Sequence, residues 1–179
     1  MKDTLISRRE FLKDIGMIGA GVLLSASPWL SAFSEVVETS GEKCRLAIIG
    51  PGSRGRFLMS FLVQNPKVEI VALCDIYQPS IEKALELAPK AKVYDDYREI
   101  LEDKTVDAVL VATPLNSHCQ IVLDAFDAGK HVFCEKSIGF TMEECFRIYN
   151  KHISTEKVFF TGQQRLFDPR YIKAMEMIH

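Results

Sequence analysis

Three glycines and one acid define the chemistry most open to this chain. Gly50, Gly52 and Gly55 punctuate the run Gly50-Pro51-Gly52-Ser53-Arg54-Gly55, directly after the apolar stretch Arg45–Ile49. Asp75 follows roughly 20 residues on, at the end of a second apolar stretch, Val68–Cys74. A strand running into Gly-x-Gly-x-x-Gly and then into a helix suits the binding of a dinucleotide. Gly50 permits a tight turn, Gly52 lets the backbone approach a pyrophosphate, and Gly55 lets the helix sit close to the strand. The helix N-terminus offers N–H groups and a dipole to the phosphate charge, with Ser53 and Arg54 of the loop among the candidate cofactor-binding residues. The Asp75 carboxylate accepts hydrogen bonds from ribose hydroxyls and repels a 2′-phosphate, which favours NAD over NADP. Tyr77 and Gln78 beside it supply no arginine for that phosphate, whereas Arg54 and Arg56 are near enough in sequence to reach round.

The elements that must position these residues alternate along the chain. Apolar runs at Arg45–Ile49, Glu69–Cys74, Lys92–Val93, Ala108–Ala112, His131–Cys134 and Val158–Thr161 read as strands. Helical patterns fall between them, at Arg56–Gln64, Pro79–Leu87, Asp96–Glu102, Ser117–Ala128 and Thr141–Ile153. This order predicts an α/β fold, a doubly wound parallel sheet with helices on both faces. Gly129 stands where a helix C-cap belongs, and Pro79 suits the first turn of its helix.

The N-terminus reads as an address. Ser7-Arg8-Arg9-Glu10-Phe11-Leu12-Lys13 has the form of a twin-arginine export signal, and a moderately apolar Gly/Ala-rich segment, Ile15–Leu24, follows it. Ala32 and Ser34 offer a cleavage site before Glu35. The small residues between Gly16 and Gly21 and the break at Pro28 argue for a removed leader over a stable membrane anchor. The expected organisation is therefore a signal peptide at 1–34, a polar linker at 35–43 and a dinucleotide-binding domain at 44–165. Residues 166–179 then open a second domain that is cut short. Without the leader about 145 residues remain, enough for one domain with a proper core.

Charge and cysteine content exclude other classes. The chain of 179 residues carries 22 Lys+Arg against 24 Asp+Glu, and no basic cluster lies outside the leader, so a nucleic-acid surface is not expected. Cys44, Cys74, Cys119, Cys134 and Cys145 are odd in number and, like the four histidines, lack zinc-ligand spacing, which predicts structural thiols and no metal.

The residues from about 44 to 178 resemble the N-terminal half of the Gfo/Idh/MocA oxidoreductases. The resemblance rests on the glycine loop, Cys74-Asp75, Val111-Ala112-Thr113-Pro114 with His118 four residues further, Glu135-Lys136, and Gly162-Gln163-Gln164-Arg165. It implies a Rossmann half that holds NAD or NADP, and a C-terminal α/β half that covers the nicotinamide and carries much of the substrate site. It places Thr113, Pro114, Asn116 and His118 along the cofactor, Glu135 and Lys136 near the nicotinamide, and Gln164 and Arg165 near the mouth of the substrate pocket. Lys136 would then polarise or deprotonate a substrate hydroxyl. Ser137 stands where the family usually has proline, and Leu115 where asparagine often follows Thr-Pro.

The implied activity is oxidation of sugar, polyol or glycoside hydroxyls by a tightly bound cofactor, in a homo-oligomer when full length. A redox-neutral NAD-dependent glycoside hydrolase and a non-catalytic nucleotide-binding module are the alternatives. Twin-arginine export carries folded proteins, so the cofactor would be loaded before the protein reaches the periplasm.

Overall fold

The computed structural model describes residues 43–163 and 168–178. The leader at 1–34 and nearly all of the linker lie outside the described residues, as do Gln164 and Arg165.

Six strands form one parallel sheet: β1 Cys44–Ile49, β2 Val68–Cys74, β3 Lys92–Tyr94, β4 Ala108–Val111, β5 His131–Cys134 and β6 Phe159–Thr161. Their order is β3-β2-β1-β4-β5-β6, so the chain winds outward from β1 in one direction and then from β4 in the other. The reversal between β1 and β4 is the topological switch point at which doubly wound sheets bind ligands. The helices are α1 Ser53–Leu62, α2 Gln78–Leu85, α3 Tyr97–Glu102, α4 Leu115–Asp127, α5 Met142–Ile153 and α6 Pro169–Ile178.

Two apolar clusters, one on each face of the sheet, account for the near-continuous apolar strands. Leu46, Ile48, Leu73, Leu110 and Phe133 pack with Leu58, Met59 and Leu62 of α1 and with Ile81 and Ala84 of α2. On the other face, Ala47, Ile49, Val109, Val111 and Val132 pack with Ile100 of α3, with Ile121, Val122 and Ala125 of α4 and with Ile148 of α5. The central strands β1 and β4 are buried on both faces and give the site a rigid floor.

Helix boundaries follow local chemistry. A reciprocal capping box starts α5, with Thr141 accepting from the Glu144 amide and the Glu144 carboxylate accepting from the Thr141 amide. Pro79 lies in the first turn of α2. Gly129, at φ +71°, ends α4: its amide donates to Phe126 O at 3.0 Å and the Lys130 amide to Ala125 O at 2.9 Å, a Schellman motif. Two helices start two or more residues earlier than the sequence pattern suggests. α1 begins at Ser53 rather than Arg56, inside the glycine loop, and α4 begins at Leu115, one residue after Pro114, rather than at Ser117.

The thiols belong to the packing. Burial, with Asp107 nearby, pushes Cys44 up to about 12, and burial, with Asp96 nearby, pushes Cys74 up to about 11. Cys134 is raised in the same direction by burial and by Glu135. Among the described residues no cluster of three or more His, Cys, Asp or Glu side chains could hold a metal ion, and no helix is long and apolar enough to cross a membrane.

A Cβ placed on Gly129 meets only Lys157 Cε, at 3.8 Å, so the left-handed backbone alone opposes a side chain there. Gly129→Ala is expected to lower stability by about 1–2 kcal/mol, read from urea unfolding, with the fold retained.

Candidate functional site

The carboxyl ends of the strands are tied into one row by backbone hydrogen bonds that continue the sheet beyond its strands. Gly50 N donates to Cys74 O at 2.8 Å, Ala112 N to Ile49 O at 2.9 Å, Glu135 N to Val111 O at 2.9 Å and Gly162 N to Cys134 O at 2.8 Å. Asp75, Gly50, Thr113 and Glu135 thus stand along a single ledge, each just past a strand.

The glycine turn is shaped by contacts that leave no room for side chains. Gly50 adopts φ +84°, and a Cβ there would come within 2.7 Å of Thr113 N. A Cβ on Gly55 would come within 2.5 Å of Gly50 O, so the first turn of α1 rests against the turn that precedes it. A Cβ on Gly52, in contrast, would meet nothing within 4 Å, which leaves an open cradle in front of the loop. Gly52 is also the N-cap of α1 and gives no side-chain cap, so the first amides of the helix face that cradle without one. This geometry fits an anion such as a pyrophosphate.

Asp75 lies at the β2 end of the ledge, where its Oδ1 accepts from Tyr77 N at 2.9 Å in an Asx turn. Ile76 and Tyr77 beside it are exposed. Both arginines of the loop are engaged elsewhere. Arg54 Nε donates to Glu135 Oε1 at 2.7 Å, across β4 from its own strand, and Arg56 donates to Pro51 O at 2.7 Å. Arg54 is therefore held on the far side of β1 from Asp75.

Glu135 and Lys136 are neighbours with opposite environments. The Glu135 side chain is 7% exposed, pairs with Arg54 and accepts from Lys136 N at 3.1 Å. Gly162, at the end of β6, gives the carboxylate its space: a Cβ there would come within 2.7 Å of it. Lys136 is exposed, and the peptide bond that follows it, to Ser137, is cis.

Past β4, Thr113 is half-buried, Pro114 and Asn116 are exposed, and His118 is buried. His118 serves as a clip within the wall of the site. Its Nδ1 lies 2.7 Å from Ser137 O and its Nε2 lies 2.8 Å from Thr113 O, so the ring joins the loop after β4 to the loop after Lys136. Thr113 Oγ1 in turn accepts from Ser117 Oγ at 2.8 Å.

The structure thus brings together Gly50, Gly52, Ser53, Arg54, Gly55, Thr113, Glu135 and Lys136, with Asp75 at one end and His118 behind. Sequence reasoning missed Gly162 as the residue that makes room for Glu135, and it missed Ser137, whose carbonyl anchors His118. Neither carries a signal that a single sequence displays, because both act through contacts distant along the chain.

Residues 44–163 match the family described as oxidoreductase family, NAD-binding Rossmann fold. A glycosyl hydrolase family 109 protein of Stenotrophomonas maltophilia is 31% identical over 97% of this chain and 39% of its own length. Myo-inositol 2-dehydrogenase of Thermotoga maritima is 31% identical over 75% of this chain and 40% of its own. Among solved structures, myo-inositol dehydrogenase of Lactobacillus casei, in complex with NAD(H) and myo-inositol, superposes with a TM-score of 0.71 at 32% identity, over 76% of this chain and 41% of that one. The chain spans about two-fifths of the length of these relatives.

Gly55→Ala forces α1 away from the turn because the obstructing atom is backbone. NAD affinity, measured by calorimetry on the full-length protein, is expected to fall by at least ~10-fold. Unchanged affinity would remove the cradle from the binding site.

Proposed function

This chain belongs to the Gfo/Idh/MocA oxidoreductase family, as its NAD-binding Rossmann domain, and on that premise we propose that the protein oxidises a hydroxyl-bearing carbon of a sugar, polyol or glycoside with NAD held tightly. Residues 44–165 are the cofactor domain in this reading, and residues 166–179 open the domain that completes the substrate site, with Gln164 and Arg165 at its mouth.

The observation that carries the proposal is the pairing of a buried, neutralised Glu135 with an exposed Lys136 on the ledge that also holds the glycine turn. The first turn of α1 and the open cradle before Gly52 would take the pyrophosphate, and Asp75 would take the ribose hydroxyls of the adenosine half. When bound, NAD supplies the hydride acceptor. Thr113, Pro114 and Asn116 would line the cofactor beyond β4, and His118 holds that loop in place from behind. Glu135 is committed to Arg54 and to the backbone, which leaves Lys136 to take the proton of a substrate hydroxyl as its carbon is oxidised. As the neutral amine Lys136 can accept that proton, and the ammonium it becomes stabilises the alkoxide that forms.

NAD is favoured over NADP because a 2′-phosphate would meet the Asp75 carboxylate, while Arg54 is held beside Glu135 and Arg56 against Pro51. The similarity to a glycosyl hydrolase family 109 protein extends over 97% of this chain and supports a second reading, a redox-neutral glycoside cleavage. In that reading Lys136 acts on the same hydroxyl, and oxidation acidifies the neighbouring C–H. The aglycone leaves as its alcohol with loss of that proton, water adds to the resulting enone, and the ketone is reduced again by the hydride first removed.

The segment Ser7–Lys13, outside the described residues, makes the twin-arginine export machinery a partner and the periplasm the location in this proposal. A protein exported folded has to carry its cofactor with it.

The decisive experiment takes full-length protein from the periplasm, denatures it and identifies the released nucleotide by mass spectrometry. Near-stoichiometric NAD is expected; an empty protein that also fails to bind added NAD would overturn the proposal. Lys136→Met should keep the nucleotide and lose at least ~100-fold in the reduced-nicotinamide absorbance that forms with a glycoside. Release of a free aglycone by the wild type would select the hydrolase reading over the oxidoreductase.

A further inference from the structure

The two contacts of the His118 ring place a demand on its protons. Nδ1 lies 2.7 Å from Ser137 O and Nε2 lies 2.8 Å from Thr113 O, and a carbonyl oxygen only accepts. A neutral imidazole carries a single N–H, so one of its nitrogens would turn a bare lone pair on an oxygen. The distances leave no space for water in between, and the residue itself is buried. Among the described residues no other hydrogen bond reaches either carbonyl.

The other described histidines make no such demand. His131 Nδ1 accepts from the Val158 amide at 3.0 Å, so that nitrogen carries no proton, and burial with Lys157 nearby pushes the ring the same way. His152 Nε2 meets one carbonyl, Lys157 O at 3.1 Å, which one N–H satisfies.

We propose that His118 is a positioning residue for Lys136 and that it acts as the doubly protonated ring, an inference that rests on the role of Lys136 proposed above. Each N–H then serves a different part of the site. Nε2–H holds Thr113, whose amide leaves Gly50 no room for a Cβ in the glycine turn. Nδ1–H holds Ser137, the residue directly after Lys136. Lys136 is thereby fixed on both sides, because its own amide donates to Glu135 Oε2 at 3.1 Å. Both restraints act on backbone, which leaves the exposed ammonium-bearing chain to the substrate.

The surroundings show what this charge works against. The ring stands in the first turn of α4, where the helix dipole disfavours a cation. Lys136 beside Ser137 carries the same sign, as does Arg147 of the neighbouring α5, and burial holds the adjacent Cys119 thiol neutral. Glu135 is committed to Arg54 and the Lys136 amide, and Glu144 of α5 to its helix cap. Two charge-assisted hydrogen bonds to carbonyls are what favours the second proton. They exist only while both loops are in place, so the proton and the loop geometry stabilise each other. A neutral amide at this position brings one donor nitrogen and one acceptor oxygen, and it can hold one loop but not both.

NMR of the full-length protein, with isotopic label in its histidine ring nitrogens, reads the charge state at neutral pH. The His118 signals are those lost in His118→Gln. Both are expected as protonated N–H, whereas Nδ1 of His131 is expected bare. In His118→Gln, kcat for reduced-nicotinamide formation should fall ~10-fold or more while NAD affinity stays within about 3-fold of the wild type. Reductive methylation with labelled formaldehyde marks Lys136, and its signal, identified by its loss in Lys136→Met, should move in the same variant. A bare nitrogen on His118 would overturn the doubly protonated ring. An unchanged kcat with an unmoved Lys136 signal would overturn the positioning role. So would loss of NAD binding in both His118→Gln and His118→Asn, which would make the ring a support of the cofactor domain alone. A wild type that oxidises no glycoside would count against the proposed function instead, and the His118 and Lys136 signals would still decide this inference.

Discussion

The approach of backbone to backbone at the glycine turn is the constraint on which the rest of the site depends. Gly55 rests on the carbonyl of Gly50, and Gly50 rests on the amide of Thr113, at separations that admit no Cβ. Three elements, β1, α1 and the loop after β4, therefore meet at one point without side chains between them. The first amides of α1 are delivered to the ledge at the ends of the central strands, where the sheet reverses direction. A helix held even one carbon further out would carry its N-terminal charge away from that ledge, and Arg54 away from Glu135. The close packing does for the electrostatics of the site what the double burial of β1 and β4 does for its rigidity.

Much of this was legible in the sequence because the fold is parallel. Strands buried on both faces read as unbroken apolar runs, and the helices between them read by period, so the strand–helix alternation and the doubly wound sheet follow from pattern alone. The cap at Gly129 and the proline in the first turn of α2 were legible for the same local reason. The start of α1 was not. Ser53 and Gly55 are weak helix formers and the three residues Ser53, Arg54 and Gly55 show no apolar period, so the pattern gives no start there; the tight turn at Gly50 directs the chain into the helix. The start of α4 was hidden in the same way, since Pro114 gives no side-chain cap to read.

Long-range pairings lie beyond a single sequence. Arg54 and Glu135 are 81 residues apart, and nothing in either neighbourhood indicates that the arginine of the glycine loop should be claimed by a carboxylate at the end of β5. The resemblance places His118 along the cofactor, and its two ring nitrogens lie against carbonyls of two different loops. Ser137 bears on the same point. It stands where the family usually has proline, and here its carbonyl is one of the two that His118 holds. The loop that carries Lys136 is thereby fixed from outside by a buried ring.

The charges of the ledge are sorted by these pairings. A carboxylate buried beside Lys136 is costly unless it is compensated, and Glu135 is compensated by one guanidinium and one amide within a space that Gly162 leaves free. The pair cancels both its own charges, so neither competes for what binds in front of it. What remains is a helix N-terminus without a side-chain cap, an exposed ammonium at Lys136, and one carboxylate at the far end, Asp75. In the proposed reading the positive end would face the phosphates and the substrate hydroxyl, and the negative end the neutral ribose hydroxyls. That polarity, rather than the glycine spacing alone, makes the ledge suit NAD better than its phosphorylated counterpart.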